Sequence, residues 1–256
     1  MCAMGEHFSA DIDAEIAIGL GTVDGVSNWF MFGAFNNFQQ DVERDLTWLP
    51  VTSSIPLPAI AGESLEIVSS DAADVGTVIE IDALGPDAVE LETFTVELNG
   101  TTPVALPGSI SRINQADSVD PDGFAGTVTI RGAGGGTAYA LMRPEDQQMN
   151  QALYTVPTGK KWNVALLIAT IQRSQGSDND ARVSVRFKGV NQTRWRRPFT
   201  FGAQRSGNSS VDLHNRYPTM ANGPVDIKLS AVSSVNGTSV SGWASGVLVD
   251  YTEPAG

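Results

Sequence analysis

The chain has 256 residues, a formal net charge of −13, 41% hydrophobic residues and one cysteine. That length fits one large or two ordinary domains with a sizeable core, and the apolar content excludes wholesale disorder. Cys2 has no partner for an intramolecular disulfide, no run of about eighteen apolar residues predicts a membrane-spanning helix, and the first residues carry no secretory pattern.

In chain order, Ile16, Ile18 and Leu20 alternate with Ala17 and Gly19 and predict a short strand. Trp29-Phe30-Met31-Phe32-Gly33-Ala34-Phe35 is the densest aromatic cluster. It packs a core, or it docks an arm on a partner through Trp29, Phe30, Phe32 and Phe35. Phe38, Val42, Leu46 and Leu49 follow helical spacing, but the segment is short and runs into Trp48-Leu49-Pro50. Residues 1–53 are therefore expected to form an extended N-terminal arm with little regular structure and one helical turn. A partner would order it, with Trp48 among the contacts.

From Ser54 the pattern becomes β. Leu65 and Ile67, then Ile79 and Ile81, precede turns at 69–74 and 84–87. Phe94, Val96 and Leu98 alternate with Thr93, Thr95 and Glu97, and Asn99-Gly100 is expected to turn the chain into a partner strand over 101–105. Val128 and Ile130 mark another strand before the glycines of 132–136. Tyr154 to Lys160 is a strand entering a Pro/Gly turn.

Beyond it, Trp162 to Ile171 is nearly continuous apolar and predicts a strand buried on both faces. Val183, Val185 and Phe187, and then Val225, Ile227 and Leu229, alternate with polar residues expected on a solvated face. A last strand covers 246–251. The fold class expected is all-β, with two β-sandwich or jelly-roll-like modules over 54–151 and 152–256.

Charge divides the chain. Residues 1–128 hold 2 basic and 21 acidic side chains, net −19, and residues 129–256 hold 14 and 8, net +6. Head-to-tail assembly, or docking on an oppositely charged surface, would use such a split; a merely soluble half would also produce it.

Chemistry is absent from the motifs. His7 and His214 are the only imidazoles, and no Gly-x-Ser-x-Gly elbow or paired Cys/His spacing occurs. Gly132–Gly136 lacks the lysine of a phosphate loop, and Thr158-Gly159-Lys160-Lys161 has Lys161 where Ser or Thr would hold magnesium; both are turns. Asp71 with Asp74, or Asp117 with Asp120 and Asp122, offer loop carboxylates for calcium, but the second cluster resembles a calcium loop in composition only and lacks the closing Glu of an EF-hand. No catalytic residue, metal or cofactor is expected. Arg194-Trp195-Arg196-Arg197 is the one basic cluster containing an aromatic. On an acidic chain it faces a carboxylate-rich neighbour rather than nucleic acid.

Several segments, by order and spacing, resemble structural proteins of tailed phages, marine phages especially. They are Ile18-Gly19 leading to Phe32-Gly33, Trp48, Glu66 to Asp74, Val96 to Val104, Arg112-Ile113-Asn114 and Tyr154 to Lys160. The resemblance spans about residues 16–160, with a looser β continuation to Asp250. This chain lacks that group's Gly pair after Trp48 and has a shorter loop at 74–78.

The resemblance implies a non-catalytic virion protein, assembled in the host cytoplasm, with capsid decoration or cementing as its task. Its partners would be the major capsid protein or neighbouring copies in a homo-oligomer, with no membrane and no direct nucleic-acid contact. The candidate interface residues are Trp29, Phe30, Phe32, Phe35, Trp48, Arg194, Trp195, Arg196 and Arg197. A neck, tail or fibre component is the close alternative. A carbohydrate-binding module stacking sugars on Trp195, Trp243 or Tyr217 comes next, and a glycosidase last.

Overall fold

A computed structural model describes residues 24–50, 54–89, 91–172, 180–204, 207–212 and 221–250. The expected strand at 16–20, His7, His214 and Tyr217 lie outside them. Within them the chain is all-β, its only helical element being a 3₁₀ turn at Pro86–Ala88.

The strands begin with β1 (Val26–Phe38), β2 (Arg44–Asp45), β3 (Leu65–Ser69), β4 (Val75–Leu84), β5 (Leu91–Asn99) and β6 (Val104–Ala105). There follow β7 (Arg112–Ser118), β8 (Val128–Gly132), β9 (Ala138–Met142), β10 (Leu153–Val156), β11 (Lys160–Gln172) and β12 (Asp180–Gly189). The last are β13 (Arg196–Gln204), β14 (Gly207–Asp212), β15 (Ala221–Asn222), β16 (Val225–Ser233) and β17 (Thr238–Asp250).

Four sheets result. Sheet I is ordered β1-β17-β11-β14, with β15 also on β11, and sheet II is β10-β16-β12-β13, with β2 also on β16. Sheet III is β6-β3-β8-β9 and sheet IV is β5-β4-β7. Period-two alternation gives each sheet one apolar face, which must be covered. Leu65, Ile67, Val128 and Ile130 of sheet III pack with Ile79, Ile81, Val96 and Leu98 of sheet IV in one core. Trp162, Leu167, Ala244 and Leu248 of sheet I meet Val183, Val185, Ile227 and Leu229 of sheet II in another. Each such aliphatic side chain stabilises the fold by about 1.5–3 kcal/mol on burial.

The segment expected to be an irregular arm is, from Val26 to Phe38, an edge strand of sheet I. It pairs antiparallel with β17 from Val26↔Val249 to Phe35↔Val240 before a bulge. Alternation explains this: Trp29, Met31 and Gly33 point inward and are buried, while Phe30 points out. At Gly33 the backbone of another segment passes so close that a Cβ would sit 2.1 Å from the Leu46 carbonyl oxygen and 2.3 Å from the Ala152 nitrogen. No helical turn follows. Asn37 and Asp41 take positive φ, β2 adds to β16 through Ser230↔Asp45, and the helical spacing of Phe38, Leu46 and Leu49 is coincidental. Phe38 and Leu46 enter the second core, and Leu49 joins Ile55 and Leu153 in a smaller cluster.

The expected hairpin after Phe94 is also different. Gly100 does turn the chain, with Thr102 N–H donating to the Asn99 carbonyl at 3.0 Å. The partner strand, however, leaves at once: β5 pairs with β4 and β6 pairs with β3. Pro103 has no N–H to continue the ladder, so the turn carries the chain from one sheet to the other. Gly100 has φ +55°, and an added Cβ would lie 2.9 Å from the Ala72 carbonyl oxygen. Gly100→Val should destabilise the protein by about 1–2 kcal/mol, seen as a lower urea midpoint with unchanged m.

Candidate functional site

The outer face of sheet I carries large apolar side chains that the described strands leave partly exposed. Register places Phe32, Trp243 and Ile168 side by side on β1, β17 and β11, and Phe30 next to Ser245. Phe30 is 40% exposed and Val249 36%, both high for large apolar side chains. Phe32, Trp243, Ile168 and Val247 are half-buried. Among the described side chains of the apolar run in β11, Trp162, Leu167, Ala169 and Ile171 are buried on one face and Ile168 is half-buried on the other. The latter face belongs to this surface.

The nine interface candidates separate here. Trp29 is a core residue: its ring packs against Tyr154 and Trp162 at centroid distances of 5.4 and 5.1 Å, and its Nε1 donates to the Asn163 carbonyl at 3.1 Å. Phe35 is half-buried and meets Phe38 edge-on at 4.9 Å. Trp48 is half-buried beneath the Arg143 guanidinium, 3.6 Å from its ring. Only Phe30 and Phe32 stand on the outer face.

The basic cluster sits at the start of edge strand β13 and is not a uniform patch. Arg194 and Arg196 are exposed. Arg197 donates to Glu43 at 3.0 Å, and Arg186 forms a bidentate pair with the same carboxylate. Burial pushes the Glu43 carboxyl up, but Arg186, Ser230 and Arg197 outweigh it and hold it below the usual range. Trp195 packs on the Leu49, Ile55 and Leu153 cluster. Its ring lies 4.3 Å from the Lys228 ammonium and 5.2 Å from that of Lys188, so cations stand where a sugar would stack.

Beneath Trp195 lies a buried ionic network that draws in Asp226, Lys188 and Lys228 from the polar faces of β12 and β16. Asp226 is fully buried. It accepts from Arg112 Nε at 2.7 Å and Nη2 at 3.1 Å, and from Thr155 Oγ1 at 2.8 Å; Lys188 Nζ lies 3.1 Å away. Asn114 brackets Thr155, donating to its carbonyl and accepting from its N–H. Lys228 Nζ donates to Asp45 at 2.7 Å and to Ser54 at 2.9 Å. Burial pulls the Lys228 pKa down, and Asp45 offsets part of that. Arg112 and Asn114 come from sheet IV and Asp226 from sheet II, so the network ties the two sandwiches together.

The glycine-rich turn binds an anion, but its own. Gly134 and Gly135 N–H donate to Glu66 at 2.9 and 3.1 Å, beside Arg131 at 2.7 Å, and hold that carboxyl below the usual range. Asp74 is likewise engaged by Ser69, Ala125 and Gly126. Among the described residues no group of three or more His, Cys, Asp or Glu is arranged to hold a metal.

No protein-family model and no curated protein matches the chain. Among solved structures, a chain in the atomic structure of Sulfolobus Turreted Icosahedral Virus aligns at 10% identity over 88% of this chain and 93% of that one, with a TM-score of 0.19. At that TM-score the two folds are not equivalent, and the alignment bears on neither fold nor task.

Proposed function

We propose that this protein is a non-catalytic structural component of a tailed-phage virion, with capsid decoration or cementing as its task. The resemblance in the sequence supplies the class. The observation that supports a binding rather than a chemical task is the outer face of sheet I, where Phe30, Phe32 and Trp243 are held on paired strands. Rigid aromatic side chains give large contact area at low ordering cost. A cement protein works by that means, burying surface across neighbouring subunits so that the shell resists internal pressure.

The test is co-sedimentation of the purified protein with capsids that lack it. The wild type should pellet with capsids, and the double variant Phe30→Ser with Phe32→Ser should bind at least about tenfold more weakly, a loss of about 1.4 kcal/mol or more. Failure of the wild type to bind shells while binding isolated necks or tails would replace decoration by the neck, tail or fibre reading.

A further inference from the structure

We infer that the outer face of sheet IV docks onto the arginine-bearing start of β13 in a second copy of this chain, making a head-to-tail contact. The inference stands independently of any place in a virion.

Sheet IV turns one face to the first core; its other face is covered by the second sandwich at the Leu84–Arg112 end and beyond that leaves Glu80 and Glu97 exposed and Asp82 and Asp117 half-buried. On that outer face β4 contributes Glu80 and Asp82, β7 Asp117 and β5 Glu97. Glu80 lies directly opposite Asp117 on the neighbouring strand, with Asp82 one pair further along. Like charges placed directly opposite each other destabilise a sheet. No described Lys or Arg pairs with them: the only basic residue of these three strands, Arg112, lies opposite Leu84 at the covered end of this face and is engaged by Asp226. Burial pushes the Asp117 carboxyl up, and Asp82 and Glu80 push it further against a hydrogen bond from Gln115. Among the described residues no cation answers this repulsion; Asp82 and Asp117 accept hydrogen bonds only from Thr93 and Gln115.

The complement lies on the other sandwich. Glu43 neutralises Arg186 and Arg197, Asp226 neutralises Lys188, and Asp45 neutralises Lys228. Arg194 and Arg196 are exposed, and no described carboxylate pairs with them. Two unanswered arginines and a four-carboxylate face on opposite sandwiches of one chain fit each other in two copies, with bidentate guanidinium–carboxylate geometry available. Because the two patches differ, the contact is heterologous: it closes into a ring or continues as a filament.

The experiment is a charge swap followed by sedimentation velocity. One variant carries E80K and E97K, the other R194E and R196E. Wild type should associate at low salt and dissociate towards about 1 M salt, where the Debye length falls to about 3 Å. Each variant alone should associate at least about tenfold more weakly. Mixed in equal amounts, they should associate again, since the reversed face of one then meets the reversed edge of the other. Circular dichroism on each variant separates a folding defect from lost association. A wild type that stays monomeric at every salt and concentration, or folded variants whose mixture fails to recover, would overturn the inference.

Discussion

Asp226→Ala should destabilise the protein by about 3–5 kcal/mol, because it leaves Arg112 and Lys188 buried without their counter-charge. Arg112 is 2% exposed and Asp226 not at all, so water cannot replace the lost partner. Thr155 and Asn114 would lose their arrangement as well, since Thr155 donates to Asp226 at 2.8 Å and is bracketed by Asn114. Urea unfolding followed by tryptophan fluorescence measures the loss. The double variant Arg112→Met with Asp226→Leu should be less damaging than Asp226→Ala, because Arg112 is then no longer stranded and only the partly exposed Lys188 lacks its counter-charge. Equal losses for the single and double variants would mean that packing, not charge, holds the junction.

Trp29→Ala should also be severe, by about 3–5 kcal/mol. Its ring fills the second core between Tyr154 and Trp162, and the change would also leave the Asn163 carbonyl without its donor. Phe30→Ser, one residue away, should change stability by about 0.5 kcal/mol or less, because Phe30 faces outward. The same unfolding measurement on both variants separates a core strand from a docking arm. A small effect at Trp29 would restore the reading of residues 26–38 as a peripheral arm.

How much of this was legible follows from what alternation can and cannot encode. Val183, Val185, Ile227 and Leu229 point inward as their spacing requires, because a half-buried strand leaves a period-two imprint. The same alternation put Asp226 and Lys228 on a solvated face. A sequence shows which residues share a face, not whether a second layer, here Trp195 with Leu49 and Ile55, comes to cover it. Trp29 to Phe35 was ambiguous for a related reason: both faces of β1 are aromatic, one for the core and one for the outer surface. Phe38, Val42, Leu46 and Leu49 matched a helix because four apolar residues can meet that spacing by chance in an extended segment. Asn99-Gly100 marked a turn correctly, but a turn signal does not say which sheet the outgoing strand joins. Of the candidate contacts, Phe30, Arg194 and Arg196 are exposed, and Phe32 is half-buried on the same face as Phe30. Trp29 serves the core, and Arg197 serves Glu43.

The function proposed above is assembly, as a repeated part of a virion shell. Quantitative mass spectrometry of purified particles, reporting its copies relative to the major capsid protein, tests that most directly. Copies in a fixed ratio to the major capsid protein, and of the same order of abundance, are expected. Its absence from purified particles, at a sensitivity that detects the minor virion proteins, would contradict it.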